Sequence, residues 1–246
     1  MCLLEGHPHV YAEASWRKDN EGVLLKQLNI PGYYEQWQNM PGHPLKWQNN
    51  EGQINHEGRV WIADHVKKTG DSILDVGCGI GLDYDHYKES EIRYLGIDIT
   101  PKFVDTAKHR GVPAEVGDIR KLRFKDNSFD TVYCKDLLIH LQPGEWRTAL
   151  EEMIRVARVQ IITLEDVWHN ETIYALAEKQ ATYDRQTRSY EMLLFYHNMY
   201  SEPDFRKFAI LHGLNVQIRH VKMKAPLRSL DGRARASQIT VYTKTY

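Results

Sequence analysis

Cysteine is scarce in this 246-residue sequence, which has only Cys2, Cys78 and Cys134. Three scattered thiols are too few for a disulfide framework and lack the spacing of a zinc site, so neither a disulfide scaffold nor a metal centre is predicted. Their odd number leaves at least one free thiol, which suits a reducing compartment. The cytoplasm is therefore the predicted location.

Net charge is also lacking, because 32 lysines and arginines face 33 aspartates and glutamates, for a formal charge of -1. Binding to a phosphate backbone usually depends on a basic surface, so this balance disfavours nucleic acid as a partner. A long apolar run at the start is missing too, since Met1-Cys2-Leu3-Leu4 meets Glu5 at once. No signal peptide or membrane span is predicted, and the oligomeric state is left open.

Two segments stand apart from an otherwise regular pattern. Residues 1–55 are rich in Trp, Tyr, Asn, Gln and His without clean periodicity, which predicts an irregular N-terminal cap. Residues 56–246 are predicted to form one domain, because a chain of this length commonly has a single core. Within it, residues 166–202 are aromatic and only partly periodic, and they predict an inserted helical lid.

Short apolar runs alternate with amphipathic segments through the rest of the chain. Five strands are predicted, at 72–76, 92–97, 114–116, 129–134 and 159–164. Helices are predicted at 56–68, after the capping pair Thr100-Pro101, and at 143–158. This alternation indicates a doubly wound α/β fold with a mostly parallel sheet. A helix at 203–211 and strands at 216–221 and 238–243 follow, and the last two strands are expected to form an antiparallel edge.

A glycine-rich turn, Val76-Gly77-Cys78-Gly79-Ile80-Gly81, follows the first predicted strand. Glycines permit a tight turn and let a ligand approach the backbone closely. A dinucleotide fingerprint needs a third glycine in the sixth position, where this sequence has Leu82. The spacing therefore argues against a nicotinamide oxidoreductase.

Acidic residues follow the ends of three successive strands. Asp75 could accept hydrogen bonds from a ligand's ammonium group. Asp98 comes 23 positions later (98 minus 75), about where a carboxylate would bind both hydroxyls of a ribose. Asp118 could accept from an exocyclic adenine amine, with Ile119 against the ring. The alternative for Asp98 and Asp118 is an aspartate that completes a turn. Together they predict a pocket for an amino acid joined to a nucleoside.

The order and spacing of these motifs resemble the core of class I S-adenosylmethionine-dependent methyltransferases, particularly the small-molecule branch related to quinone-biosynthesis enzymes. The resemblance covers residues 72–166 and rests on 73–81, 96–101, 117–118 and 124–130. It implies a Rossmann-like, seven-stranded sheet with an antiparallel C-terminal strand, S-adenosylmethionine as cofactor and S-adenosylhomocysteine as product. The predicted cofactor-binding residues are Asp75, Gly77, Cys78, Gly79, Gly81, Asp98, Ile99, Asp118, Ile119 and Cys134. The Pro-Gly-Gly turn that usually precedes the fifth strand in this family is absent.

Catalytic candidates lie after the fourth and fifth strands, where the cofactor edge of such a sheet is expected. They are Lys135, Asp136 and His140 after the fourth strand, and Glu165, Asp166 and His169 after the fifth. An imidazole is largely neutral at physiological pH, which suits a general base. His169 is the first candidate for that role and His140 the second, with a purely structural histidine as the alternative for His140.

The main hypothesis is methyl transfer to a small or medium organic acceptor at oxygen, nitrogen or carbon. One alternative is a methyltransferase acting on RNA or protein, which would need a basic or peptide-binding groove beside the cofactor pocket. Another is a binding module that holds the cofactor without turnover. The cap and the lid match no pattern that identifies an acceptor.

Overall fold

The computed structural model describes residues 15–18, 30–39, 56–168, 172–184, 189–196, 198–221 and 236–245. The helices are α1 (Tyr33–Gln38), α2 (His56–Thr69), α3 (Pro101–His109), α4 (Glu145–Val156) and α5 (Glu202–Leu211). The strands are β1 (Ser15–Lys18), β2 (Ser72–Val76), β3 (Arg93–Asp98), β4 (Ala114–Val116), β5 (Phe129–Lys135), β6 (Ala157–Trp168), β7 (Ile173–Asp184), β8 (Ser189–Tyr196), β9 (Tyr200–Ser201), β10 (Leu214–Val221) and β11 (Ala236–Lys244). Short 3-10 helices lie at Leu82–His86 and Leu138–His140.

The main sheet has the strand order β4-β3-β2-β5-β6-β11-β10. Neighbouring strands from β4 to β6 run parallel, β11 runs antiparallel to β6, and β10 runs antiparallel to β11. The short strand β9 pairs in parallel with the end of β6. The predicted doubly wound, mostly parallel fold with antiparallel C-terminal strands is confirmed.

Helices cover both faces of this sheet because its strands are apolar on both sides. Successive residues of a strand point to opposite faces. Accordingly, Leu74 and Val76 belong to one buried cluster with the apolar stripes of α4 and α5, whereas Ile73 belongs to another with those of α2 and α3. Trp146 of α4 is 1% exposed and lies at the centre of the first cluster. Because β2, β3, β4 and β5 run parallel, their carboxyl ends lie at one edge of the sheet.

The helical form predicted for the lid at 166–202 is wrong, whereas its role as a lid stays a prediction. Within residues 166–202 the structure has the end of β6, the strands β7, β8 and β9, and the start of α5. β7 and β8 pair antiparallel, and β1 joins the other edge of β7. The partner strand β1 lies more than 150 residues earlier in the chain (173 minus 18 is 155), so the backbone hydrogen bonds on this edge of β7 cannot be seen in a local window.

The N-terminal segment is likewise more regular than predicted, since it contributes β1 and α1 to the described residues. The predicted division into a cap over 1–55 and a domain over 56–246 stays a prediction. Among the helices that the structure describes, none has the length and apolar character needed to cross a membrane.

Candidate functional site

A cavity of about 260 Å³ opens at the carboxyl ends of β2, β3, β4 and β5. The predicted residues that line it are Gly77, Cys78, Asp98, Ile99, Asp118, Ile119, Lys135, Asp136 and His140. The lining also contains Tyr34, Trp37, Arg59, Val76, Leu82, Asp83, Thr100, Phe103, Gly117, Leu137 and Leu141. Most of the predicted set therefore meets in one place, although it comes from four different strand ends.

The glycine turn forms the wall that follows β2. The backbone N–H groups of Gly77 and Cys78 both donate to the carbonyl of Ile97, at 2.7 and 3.0 Å, which ties the turn to β3. Gly77 has a φ of 76°, and a Cβ there would lie 2.8 Å from the side chain of Leu137. A larger residue would both strain the backbone and displace the loop after β5. The glycine thus sets how closely β2 and that loop approach.

Two backbone N–H groups orient the carboxylate of Asp98 in the lining. Its two oxygens accept from the backbone N–H groups of Gly79, at 3.0 Å, and Thr100, at 2.8 Å. The residue is only 8% exposed, and burial raises the pKa of its carboxyl group. An ionised carboxylate has about four acceptor positions, so two backbone donors leave capacity for hydroxyl donors in the cavity.

Asp118 lines the cavity at the end of β4, with the apolar side chains of Ile99 and Ile119 also in the wall. Its carboxylate already accepts from Arg120 through both the backbone N–H, at 2.9 Å, and the guanidinium, at 2.6 to 3.2 Å. Asp118 is therefore held in place by a residue two positions further along the chain.

Other predicted residues lie behind the lining rather than in it. Asp75 is buried and accepts a 2.5 Å hydrogen bond from the Tyr94 hydroxyl; burial, followed by the charge of Asp83, raises its pKa to about 8. Cys134 is fully buried, with Sγ 3.8 Å from Oε1 of Glu165. Both residues were predicted to bind the cofactor, but neither side chain lines the cavity, because both belong to the packed layer beneath its wall. Gly79 and Gly81 shape the turn from the same layer.

The loop 137–141 after β5 carries His140 and is anchored by a carboxylate. Glu165, at 0% exposure near the end of β6, accepts from the backbone N–H groups of Leu137 (3.1 Å), Leu138 (3.0 Å) and Ile139 (3.4 Å). Burial, followed by the nearby charge of Asp136, raises the pKa of Glu165 to about 8. A buried acid thus occupies the amino end of the short helix that presents the histidine.

Four carbonyl groups of the same loop, those of residues 138–141, are also bound by donors from distant segments. Asn198 donates from its backbone to Ile139, at 2.8 Å, and from its side-chain amide to Leu141, at 2.7 Å. The Tyr200 hydroxyl donates to Leu138, at 2.5 Å, and the Tyr33 hydroxyl donates to His140, at 2.7 Å. Fixing both donors and acceptors of a loop leaves its side chains little freedom.

The His140 ring is oriented by a main-chain carbonyl. Its Nδ1 lies 2.8 Å from the carbonyl oxygen of Tyr196, which can only accept. Nδ1 therefore carries the proton, and Nε2 is the basic nitrogen of the neutral ring. The ring centroid is 5.5 Å from that of Trp37. His169, the first candidate from the sequence, lies outside the described residues.

Helix α1, which lies within the predicted N-terminal cap, covers part of the cavity. Tyr34 and Trp37 line the cavity, and the Tyr33 hydroxyl accepts from the backbone N–H of Tyr196 at 2.9 Å. Since Tyr33 also donates to the carbonyl of His140, one side chain joins α1, β8 and the histidine loop.

Two ion pairs complete the charged part of the lining. Arg59 of α2 is buried against Asp83, and Lys135 lies 2.9 Å from Asp136. Asp136 has a φ of 48°, in the left-handed region that non-glycine residues seldom adopt. Arg59 sits in the first turn of an ordinary amphipathic helix, so nothing in the local pattern marked it as a site residue.

Residues 73–160 match the model of the protein family described as a methyltransferase domain. The predicted resemblance to class I, S-adenosylmethionine-dependent methyltransferases is confirmed over these residues. The cofactor predicted from the glycine turn and the acidic strand ends, S-adenosylmethionine, is thereby confirmed.

Relatives of this methyltransferase domain differ in what their names say they act on. Phosphoethanolamine N-methyltransferase 1 of Arabidopsis thaliana is 36% identical over 90 residues, covering 33% of this chain and 18% of that protein. A probable tRNA methyltransferase 9B of Mus musculus is 30% identical over 122 residues, covering 49% and 25%. The matched segments thus span a quarter or less of these two relatives.

A solved structure shows the same fold over most of the chain. The amino pentose methyltransferase of Micromonospora echinaspora, with bound S-adenosylmethionine, has a TM-score of 0.53 and 18% identity, and the match covers 82% of this chain and 97% of that one. At this identity the likeness concerns the fold alone.

Glu165→Gln should change how the stability of the methyltransferase domain depends on pH. Because the pKa of Glu165 is raised from its ordinary 4.5 to about 8, the folded state retains the proton to higher pH than the unfolded chain. The contribution of Glu165 to the free energy of unfolding is fully present below pH 4.5 and is lost as the pH rises through about 8. Glutamine does not titrate, so the variant should gain stability relative to the unmodified protein across this window, by up to about 1.4 kcal/mol per pH unit.

Urea unfolding at a series of pH values from 5 to 8 measures this difference. Glu152→Gln is the matched control, since hydrogen bonds from Arg155 lower the pKa of Glu152 and place its titration below that window. The prediction would be contradicted if the free energies of unfolding of Glu165→Gln and the unmodified protein differed by the same amount at every pH from 5 to 8.

Proposed function

We propose that this protein transfers a methyl group from S-adenosylmethionine to a small or medium organic acceptor. The observation that carries the proposal is the placement of an oriented carboxylate, Asp98, and an oriented imidazole, His140, in the lining of one cavity. A nucleoside needs the first, and deprotonation of an acceptor needs the second. The scarcity of cysteine supports the cytoplasm as the compartment.

The residues present fit the cofactor in both polarity and position. Asp98 would hold the ribose hydroxyls, Asp118 the adenine amine, and Ile99 and Ile119 the faces of the base. Gly77 and Cys78 would allow close approach of the methionine end, while Asp75, Gly79, Gly81 and Cys134 would support the turn from behind. When bound, the cofactor supplies an electrophilic methyl group.

His140 would act on the acceptor as a general base. Its Nδ1 proton is committed to the Tyr196 carbonyl, so an acceptor O–H or N–H would donate its proton to Nε2. The anchored loop 137–141 keeps the ring in place, which spares the reaction the cost of orienting it. His169, which follows β6, is the second candidate for the same role.

The cover provided by α1 favours a small acceptor over a macromolecule. Tyr34 and Trp37 enclose the cavity beside His140, and aromatic side chains exclude water and pack against small organic groups. The relative named for phosphoethanolamine supports this choice. The tRNA methyltransferase relative supports the alternative of an RNA acceptor.

Calorimetry with S-adenosylhomocysteine and methyl transfer from labelled S-adenosylmethionine test the proposal together. We expect saturable binding of the cofactor product, and label in small amines or phenols from an acceptor panel. Label in tRNA alone, or in protein alone, would replace the small-molecule proposal with the macromolecular one. Cofactor binding without transfer to any acceptor class would favour a binding module.

A further inference from the structure

Arg120 joins two walls of the cavity that lie on different parts of the chain. It follows β4 in a short turn, and its guanidinium donates to both carboxylate oxygens of Asp118, at distances of 2.6 to 3.2 Å. From the same group, Nη1 donates to Oε1 of Glu145 in α4 at 3.1 Å. One planar cation therefore bridges two carboxylates from separate elements.

The same guanidinium also holds α1. Its Cζ lies 3.5 Å from the centre of the Tyr34 ring, a close cation–π contact. The Tyr34 hydroxyl donates to the second carboxylate oxygen of Glu145 and accepts from the backbone N–H of Gln142 at 3.0 Å. Tyr34 is thus clamped on its ring by Arg120 and on its hydroxyl by Glu145.

Asp118 and Tyr34, the two residues that Arg120 connects, line the cavity, whereas Arg120 and Glu145 do not. We propose that Arg120 is a positioning residue that couples occupation of the Asp118 end of the cavity to the seating of α1 over the acceptor end. The proposal rests on the proposed function, because it assigns the cofactor's adenine to the Asp118 end. A ligand that binds Asp118 restrains the carboxylate, and the bidentate pair transmits that restraint to the guanidinium and the stacked ring.

Arginine suits this role better than lysine would. Its planar fork fits a carboxylate with two parallel hydrogen bonds while its face stacks on an aromatic ring. A lysine ammonium carries the same charge but is not planar, so it cannot pair with both carboxylate oxygens and stack on the Tyr34 ring at once. Arg120→Lys is therefore the informative conservative variant, and Arg120→Met removes the charge but keeps the length.

Because coupling between sites is reciprocal, it is visible from either end. Binding of S-adenosylhomocysteine should slow amide exchange in residues 33–39, by about ten-fold for a coupling on the order of 1.4 kcal/mol. Loosening α1 should in turn weaken binding of S-adenosylhomocysteine. Glu145→Gln tests that direction without touching the lining, and a loss of affinity of about three-fold or more is expected.

The decisive experiment compares amide exchange with and without S-adenosylhomocysteine in the unmodified chain, Arg120→Lys, Arg120→Met and the control Arg123→Met. Arg123 lies in the same turn and stacks on Phe124 at 5.5 Å, away from α1. We expect S-adenosylhomocysteine to slow amide exchange in residues 33–39 of the unmodified chain and of the control. In both Arg120 variants this slowing should be lost although they still bind the ligand. Should Arg120→Met fail to fold, Arg120→Lys carries the comparison.

Each outcome has a distinct meaning. Retention of the exchange response in Arg120→Lys and Arg120→Met would overturn the coupling. So would an unmodified chain that binds S-adenosylhomocysteine without any change in residues 33–39, and this result would leave the proposed function intact. Failure of the unmodified chain to bind the ligand at all would overturn the proposed function itself.

Discussion

Turnover should fall by about 10²–10⁴-fold when His140 is replaced by glutamine, the range typical of a lost general base. Glutamine can still donate to the Tyr196 carbonyl that now holds Nδ1, so the loop should keep its shape. It offers no basic nitrogen toward an acceptor. Affinity for S-adenosylhomocysteine should change little, since the cofactor would be held by other parts of the lining. Initial rates with the acceptor identified in the panel, together with calorimetry, measure both quantities.

His65→Gln is the control for this substitution. His65 lies on α2, stacks on Trp61 and bonds to Gln160 at 3.0 Å, outside the cavity lining, and its loss should leave turnover unchanged. His169→Gln is compared in parallel. Full activity in His140→Gln would reject the base assignment there, and a large loss in His169→Gln alone would move it to that residue. Full activity in both variants would mean that alignment of the acceptor with the cofactor, and not a general base, accelerates the reaction.

Asp98→Ala should weaken binding of S-adenosylhomocysteine by about 10- to 100-fold. The carboxylate would accept from ribose hydroxyls, and each charge-assisted hydrogen bond is worth about 1.5–3 kcal/mol. Alanine also releases the backbone N–H groups of Gly79 and Thr100, so the glycine turn loses a support. Asp98→Asn retains one acceptor oxygen, so its affinity for S-adenosylhomocysteine should lie between those of the unmodified protein and Asp98→Ala.

Asp130→Asn separates binding from stability. Asp130 is as buried as Asp98 and bonds to Ser72 and Arg158, but it lies at the opposite end of β5, away from the cavity. This control should lower the melting temperature without changing affinity measured below it. Unchanged affinity in Asp98→Ala would remove Asp98 from the cofactor site.

The core of the fold was predictable because its signals are local. Strand β2, the glycine turn and Asp98 all lie within 27 consecutive residues (98 minus 72, plus one), and the capping pair Thr100-Pro101 marks α3 at once. A parallel sheet then forces the strand ends to one edge, so the residues after those ends had to meet.

The acceptor side was not predictable, since its contacts join distant segments. The Tyr33 hydroxyl reaches residues 107 and 163 positions away, and β7 depends on a strand near the N-terminus. Aromatic residues at irregular spacing suit a helix or a strand equally well until a partner is known. Arg120 escaped notice for the same reason, because its partner Tyr34 precedes it by 86 positions (120 minus 34).

The pairing of β9 with the end of β6 bears on how such proteins diversify. Val167 lies opposite Tyr200 in a parallel register, so the chain leaves the sheet and returns to it at neighbouring points. Whatever lies between those points can lengthen, shorten or be exchanged without altering the strand order of the sheet. Asn198, just before the return, and Tyr200, at the return, still bind the carbonyls of the histidine loop. New acceptor preferences could therefore arise by replacement of one continuous segment, upstream of Tyr196, while the cofactor cavity is inherited unchanged.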